Sequence, residues 1–346
     1  MLDLSRYWYR HSLHPVTWLL LPLSWIFGFL ATIRRRLYRL KLLKTHHFSV
    51  PVIIVGNLTV GGTGKTPFVI ELVKLLQSQG LSPGIVSRGC GGKEQLKPHW
   101  VQPNSNATQV GDEALLLARK TKCPIVISKD RVAAVRELLR QSVCNVIVAD
   151  DGLQHYRLGR TLEIAMVDGT RRFGNHCLLP AGPLREPVHR LDNVDFVIIT
   201  DGHPQNNELA MTLVPHKVVS LKNQSNVNLT QFKQMKVHAV AGIGHPERFF
   251  ATLRQAGLDI ITHVFPDHYL YDSSDFDFQD TYPIIMTEKD AVKCDAFATD
   301  RYWYLTVVAN VDPVFQQQLL LQLQSWETRD EFKDKFKKST VDTAAV

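Results

Sequence analysis

Residues 52–67 read VIIVGNLTVGGTGKTP: a β-branched run, a loop carrying Gly61, Gly62 and Gly64, then Lys65 and Thr66 ahead of a helical pattern. Few short stretches constrain a fold as tightly. Backbone N–H groups of a glycine-rich turn converge on phosphate oxygens only when a buried strand feeds the loop and a helix N-terminus follows it. Gly61, Gly62, Thr63, Gly64, Lys65 and Thr66 fit that plan as a nucleotide-binding loop, with Lys65 placed for the outer phosphates and the Thr66 hydroxyl for a metal. The strict pattern wants glycine where Thr59 stands. The loop therefore has the G-G-x-G-K-T form of partition-type ATPases, although Val60 occupies the position at which that group carries a lysine.

From Pro51 onward, short β-branched runs alternate with helical spacing, which predicts an α/β fold with a largely parallel sheet. Strands are expected at 52–56, 84–87, 124–128, 145–149, 163–167 and 196–200, and helices at 66–77, 112–120 and 131–141. The run NVIVADDG ends its strand on Asp150 and Asp151, where an acid meets the nucleotide's metal in such folds. A guanine-reading N-K-x-D element is missing, since TEKD at 287–290 has lysine and aspartate adjacent; this favours ATP. GIGHPE at 242–247 places Glu247 where a dinucleotide fingerprint needs its third glycine, so it reads as a plain βα turn.

The expected organisation is an N-terminal helical segment (1–47), a P-loop nucleotide-binding core (48–201), a polar linker region (202–234), a smaller C-terminal α/β lobe (235–326) and a disordered tail (327–346). Residues 16–33 carry no charge and run directly into Arg34, Arg35 and Arg36, which predicts a membrane-associating helix interrupted by Pro22 and Gly28. A buried hairpin is the alternative. The net charge of +7 lies wholly in residues 1–47, where eight basic side chains face one acid; the rest of the chain balances, so nothing marks a nucleic-acid surface. Five scattered cysteines with no C-x-x-C pair exclude a disulfide framework and a zinc knuckle.

Further strings occur in a fixed order: SRG (87–89), VGDEALLLA (110–118), KDR (129–131), DDGLQH (150–155), LLPAGPLREP (178–187), PDHY (266–269) and TEKDAVK (287–293). With GGTGKTP and the apolar N-terminus, the chain resembles the tetraacyldisaccharide 4'-kinase (lipid A 4'-kinase) family over residues 1 to about 325. The resemblance implies a two-lobed P-loop kinase at the cytoplasmic face of the bacterial inner membrane. It would use ATP and Mg²⁺ to phosphorylate the 4'-hydroxyl of a tetraacylated glucosamine disaccharide 1-phosphate, giving lipid IVA. The implied partners are the lipid and the membrane surface, without nucleic acid or an obligate protein partner.

The same resemblance implies Asp112 as catalytic base with His268 as its dyad partner, Lys65 on the phosphates, and Thr66, Glu113 and Asp151 around the metal. Arg88, Arg131, Asp150, Gln154, His155 and Arg185 are implied near the phosphates or the lipid headgroup. Two positions depart from the family pattern: Cys90 follows SRG where tyrosine is frequent, and His245 precedes Pro246 where asparagine is frequent. Taken singly, Asp112 and Glu113 also fit a helix N-terminus, and Arg131 and Arg185 fit surface ion pairs. The rival reading is a membrane-recruited P-loop switch ATPase of the partition type, against which Val60 counts and which would hydrolyse ATP without a lipid acceptor.

Overall fold

Runs buried on both faces make the parallel strands, as expected where helices cover a sheet on two sides: every residue of Val52–Gly56, Pro83–Ser87, Val146–Asp150 and Leu162–Asp168 is buried. In the computed structural model, which describes residues 5–10, 14–93 and 97–326, the chain begins with α1 (Ser5–Trp8), α2 (Pro15–Arg39), β1 (Val52–Gly56), α3 (Lys65–Ser78), β2 (Pro83–Ser87) and β3 (His99–Val101). It continues through α4 (Ala107–Val110), α5 (Asp112–Thr121), β4 (Ile125–Ile127), α6 (Arg131–Gln141), β5 (Val146–Asp150), β6 (Leu162–Asp168), β7 (Phe196–Thr200) and β8 (Leu209–Ser220). The last elements are β9 (Asn226–Val227), β10 (Lys236–Ala241), α7 (Pro246–Gln255), β11 (Asp259–Val264), β12 (Ile284–Thr287), α8 (Glu288–Ala291) and β13 (Tyr302–Val311). A helix over 313–326 follows. The tail expected at 327–346 lies outside the described residues.

The strands form one sheet in the order β11-β10-β12-β13-β8-β7-β6-β1-β5-β2-β4-β3, with β9 beside β8. β1 lies between β5 and β6, all parallel, with Val55 opposite Asp150. The glycine loop after β1 and the carboxylates after β5 therefore emerge side by side at the carboxyl ends of adjacent strands, where ligands bind in α/β sheets.

Two features differ from the expected organisation. The region read as a linker holds β8, a twelve-residue strand that pairs parallel with β7 and antiparallel with β13, so the sheet continues into the C-terminal half with its polarity reversed. The Asn and Gln on either side of it hid the strand, whose own burial pattern is mixed and shows no regular alternation. The helix over 313–326, grouped with the smaller lobe by sequence order, instead packs on the nucleotide half: Phe315 meets Phe68 of α3 and Phe196 of β7.

α2 runs unbroken through Pro22 and Gly28, about 37 Å long at ~1.5 Å per residue. Gly28 is a point of close approach, since a Cβ there would stand 2.5 Å from Leu178 Cδ1. With Thr17 and Ser24 it forms a narrow buried stripe, and Ser24 Oγ donates to the Leu178 carbonyl at 2.8 Å. The remaining circumference presents Trp18, Leu19, Leu23, Trp25, Ile26, Phe29 and Leu30 outward. Only 11% of the most apolar window is buried, which excludes a buried hairpin.

Candidate active site

The glycine loop is held by its own polar groups. Asn57 Nδ2 donates to the Thr59 carbonyl at 2.7 Å, Lys65 Nζ donates to Asn57 Oδ1 at 3.1 Å, and Thr200 Oγ1 donates to the Thr63 carbonyl at 2.9 Å. Gly64 has φ +79 and no room for a side chain, because a Cβ would lie 2.9 Å from Thr200 Cγ2. Thr59, standing where the strict motif has glycine, makes a β-bridge with Leu184 and is buried. The loop therefore gains an anchor to the LREP segment at that position.

Lys65, Thr66, Glu113, Asp151, Arg185 and His268 line one cleft of about 430 Å³. Asp151 takes φ +50 at the end of β5 and accepts from Arg185 Nη1 at 3.0 and 3.1 Å, with Lys65 Nζ 3.5 Å away. Burial opposes its ionisation, but Lys65 and Arg185 outweigh burial and hold its carboxyl well below the usual range. Asp150 points the other way. It is fully buried, accepts from Ser87 Oγ at 3.0 Å, and is pushed up to about 6 by burial and by the charges of Glu113 and Asp151.

Asp112 opens α5 behind Gly111, whose φ of +87 leaves no space for a Cβ beneath the Cys90 carbonyl. Across 156 positions of sequence, His268 Nδ1 lies 2.9 and 3.0 Å from its two oxygens. The pair is asymmetric toward the cleft: the Asp112 side chain is 2% exposed and that of His268 28%. The ring is thus the member that faces the cleft, and Asp112 stands behind it. The hydrogen bond to Asp112 raises the His268 pKa, with burial working against it.

Several residues around this pair carried no legible signal in the sequence. Lys289 Nζ lies 3.0 Å from Glu113, 3.0 Å from Asp267 and 4.0 Å from Asp112, and Lys293 Nζ is 3.9 Å from Asp112. Burial raises the Glu113 carboxyl, yet Lys289 and Lys65 bring it below its ordinary value. Gly91, with φ +80, backs onto the pair: a Cβ there would approach His268 Nδ1 to 2.8 Å. Lys289 and Lys293 lie inside the TEKDAVK motif and Gly91 two residues after SRG, but spacing alone does not say which carboxylate a lysine meets.

Other expected site residues fall outside the cleft. Arg131 is 2% exposed, not a surface ion-pair partner; its Nη1 donates to the Ser128 carbonyl at 2.6 Å and its Nη2 reaches the Asp150 carbonyl at 3.5 Å. Gln154 Nε2 donates to the Asn57 carbonyl at 3.2 Å, beneath the loop. His155 lines a different cavity, and Arg88 is exposed beyond β2. Asp290 of TEKD is fully buried and accepts from the Gly242 N–H, Tyr271 Oη, Thr287 Oγ1 and Lys293 Nζ, so it has no capacity to read a base. Replacing Asp290 with Ala removes the nearest partner of the buried Lys293 and leaves the Gly242 N–H without its acceptor, which should cost about 3–5 kcal/mol, measured as a lowered denaturant midpoint at unchanged slope.

The GIGH turn reaches the glycine loop from the C-terminal half: Arg171 Nη1 donates to the Gly244 carbonyl at 2.8 Å, and a Cβ at Gly244 would meet the Gly62 nitrogen at 2.7 Å. It is a βα turn between β10 and α7, as its Glu247 predicts. His245 takes its place in a small ion network, 3.4 Å from Asp168, which Arg248 also meets at 2.8 Å. The Asp168–Arg248 pair therefore joins the end of β6 to α7 beside the cleft.

A family model described as tetraacyldisaccharide-1-P 4'-kinase matches residues 16–324. The chain belongs to that family. Among its relatives in the tetraacyldisaccharide 4'-kinase family, the Nitrosococcus oceani protein is 51% identical over 319 residues, covering 92% of this chain and 94% of its own. The Methylobacillus flagellatus protein is 47% identical over 322 residues, covering 92% and 95%. A solved structure described as the "apo" form of LpxK from Aquifex aeolicus in complex with ATP superposes with a TM-score of 0.75 at 27% identity, covering 89% of this chain and 99% of that one.

Proposed function

We propose that this member of the family transfers the γ-phosphate of ATP to the 4'-hydroxyl of tetraacyldisaccharide 1-phosphate, forming lipid IVA, with the chemistry confined to the cleft just described. The observation that carries the reading is the meeting of Lys65, Asp151 and His268, the last backed by Asp112, in one cavity. Phosphate-binding residues and a proton acceptor lining the same cleft suit transfer to a second substrate.

ATP enters with its phosphates on Gly61–Thr66; the apolar end of the cleft, with Leu213, Pro215, Phe249 and Val307, suits its base. Lys65 and Arg185 neutralise charge on the transferring group. The hard oxygen donors of Thr66, Asp151 and Glu113 fit a magnesium ion, which supplies charge neutralisation between the outer phosphates when bound. Lys289 keeps Glu113 ionised for that role. Proton transfer from the sugar hydroxyl goes to the Asp112–His268 pair. Because the ring faces the cleft, the proton enters at His268 Nε2 while Asp112 holds the Nδ1–H. The nucleotide half, completed by the helix over 313–326, and the C-terminal half act as the two lobes, with β8 and β13 as the seam.

The exposed face of α2 and the arginines that follow support a docking of the body at the cytoplasmic face of an inner membrane. The direct test is incubation with ATP, Mg²⁺ and the disaccharide 1-phosphate lipid, followed by detection of a new phosphomonoester; ATP hydrolysis indifferent to the lipid would refute the kinase reading. Deleting residues 1–33 should shift the protein out of the membrane fraction and raise KM for the lipid more than KM for ATP. Unchanged partitioning would remove α2 as the anchor.

A further inference from the structure

The segment 5–10 precedes the span 16–324 shared with the family, yet it reaches the nucleotide loop. Its α1 lies against the 174–183 stretch: Trp8 Nε1 donates to the Pro180 carbonyl at 3.1 Å, and the Trp8 carbonyl accepts from the Asn175 N–H at 2.7 Å. Gly174, with φ +55, makes that approach possible, since a Cβ there would stand 2.5 Å from the Trp8 carbonyl oxygen. The Tyr7 ring stacks on that of His14, the N-cap of α2, with 4.4 Å between centroids. These contacts fix Tyr9, the next residue after α1.

The half-buried Tyr9 makes two contacts. Its Oη donates to the Val60 carbonyl at 3.3 Å, and its ring lies under Arg171, whose Cζ is 4.9 Å from the centroid. Arg171 in turn donates to the Gly244 carbonyl at 2.8 Å, in the turn that abuts the loop at Gly62. Burial pushes the Tyr9 phenol above its ordinary pKa, so near neutrality it keeps the proton it donates. The Val60 carbonyl and the Gly61 N–H belong to one planar trans peptide unit and point in opposite directions. A donor on the carbonyl therefore fixes the direction of the first N–H of the glycine loop. Gly61 offers little resistance of its own, with φ +111 and open space where a Cβ would stand.

We propose that Tyr9 is a positioning residue for ATP: its hydroxyl sets the Val60–Gly61 peptide so that the Gly61 N–H is preorganised for a phosphate oxygen, and its ring keeps Arg171 on the Gly244 turn. The proposal rests on the nucleotide role of the loop given above. The experiment measures the ATP dissociation constant of the full-length enzyme in detergent micelles by calorimetry, without a lipid acceptor, beside steady-state kinetics with one. Tyr9→Phe keeps the ring over Arg171 and should weaken ATP binding about fivefold, as loss of one hydrogen bond does. Tyr9→Ala removes both contacts and should weaken it about tenfold or more. In Tyr9→Phe the KM for ATP should rise in step, while kcat at saturating ATP, KM for the lipid and the thermal midpoint stay at their wild-type values. Wild-type ATP affinity in Tyr9→Phe would overturn the proposal. A joint fall in kcat, in affinity for both substrates and in thermal midpoint would overturn it in favour of a packing role. Tyr282→Phe, outside both the segment and the cleft, should bind ATP as wild type does, and an equal loss there would also overturn it. No ATP binding by wild type would overturn the nucleotide role of the loop and the proposal with it.

Discussion

Replacing Asp112 with Asn should lower kcat by roughly 10²- to 10⁴-fold, the usual range for loss of general-base catalysis, and leave the ATP dissociation constant near its wild-type value. Asparagine keeps the shape and one acceptor toward His268 but removes the charge that holds the imidazole as a base. The two oxygens of Asp112 both lie within hydrogen-bond distance of Nδ1, so the pair is one hydrogen-bonded unit. His268→Ala should lower kcat too, and Asp112→Asn/His268→Ala should be little worse than the more severe single variant, because a shared role is not lost twice. Multiplying, independent defects measured under single-turnover conditions would separate the two residues. The pH profile gives a further check. Asp112 raises the His268 pKa, so the doubly protonated ring, which cannot accept a proton, persists above the ordinary histidine range. Activity should therefore rise with pH through an inflection above that range, and Asp112→Asn should move the inflection down.

Lys65→Ala should be equally severe for a different reason. Its ammonium lies 3.1 Å from Asn57 Oδ1 and 3.5 Å from Asp151, where it offsets charge on the outer phosphates as the γ-phosphoryl group leaves. Removing a preorganised charge of this kind costs about 10²- to 10³-fold in kcat. Loss of Lys65 also leaves Asp151 with Arg185 as its remaining direct cation partner. Lys65→Arg should not restore the rate, because the planar guanidinium does not reproduce a compact point charge. Lipid phosphorylation near the wild-type rate in Lys65→Ala would contradict the assignment of the loop.

How much of this was legible beforehand depends on the range of the interaction. The strand–loop–helix around Gly61–Thr66 is local, and local rules place it within a residue: α3 begins at Lys65 and β1 covers 52–56 as read. The same holds for α6, read at 131–141, and for the βα turn at 242–247. Apolarity and the arginine triplet marked α2, yet Gly28 read as an interruption because its reason is a contact with Leu178, 150 positions away. β8 escaped because its exposed residues follow the demands of a seam between two half-sheets and show no alternation of their own.

The sequence by itself determined the nucleotide loop, the carboxylates that follow β5, the apolar helix and the family, since each is written in neighbouring residues or in the order of short motifs. Only the tertiary structure decided which side chains share the cleft. It brought His268 onto Asp112, set Lys289 between three carboxylates, turned Asp150 inward and Asp151 outward, and drew Arg131 and His155 toward a separate basic cavity. The physical reason is that charge pairing and burial are properties of distance in space. A histidine and an aspartate 156 positions apart have no local preference for one another until the fold brings the loop after β11 against the start of α5.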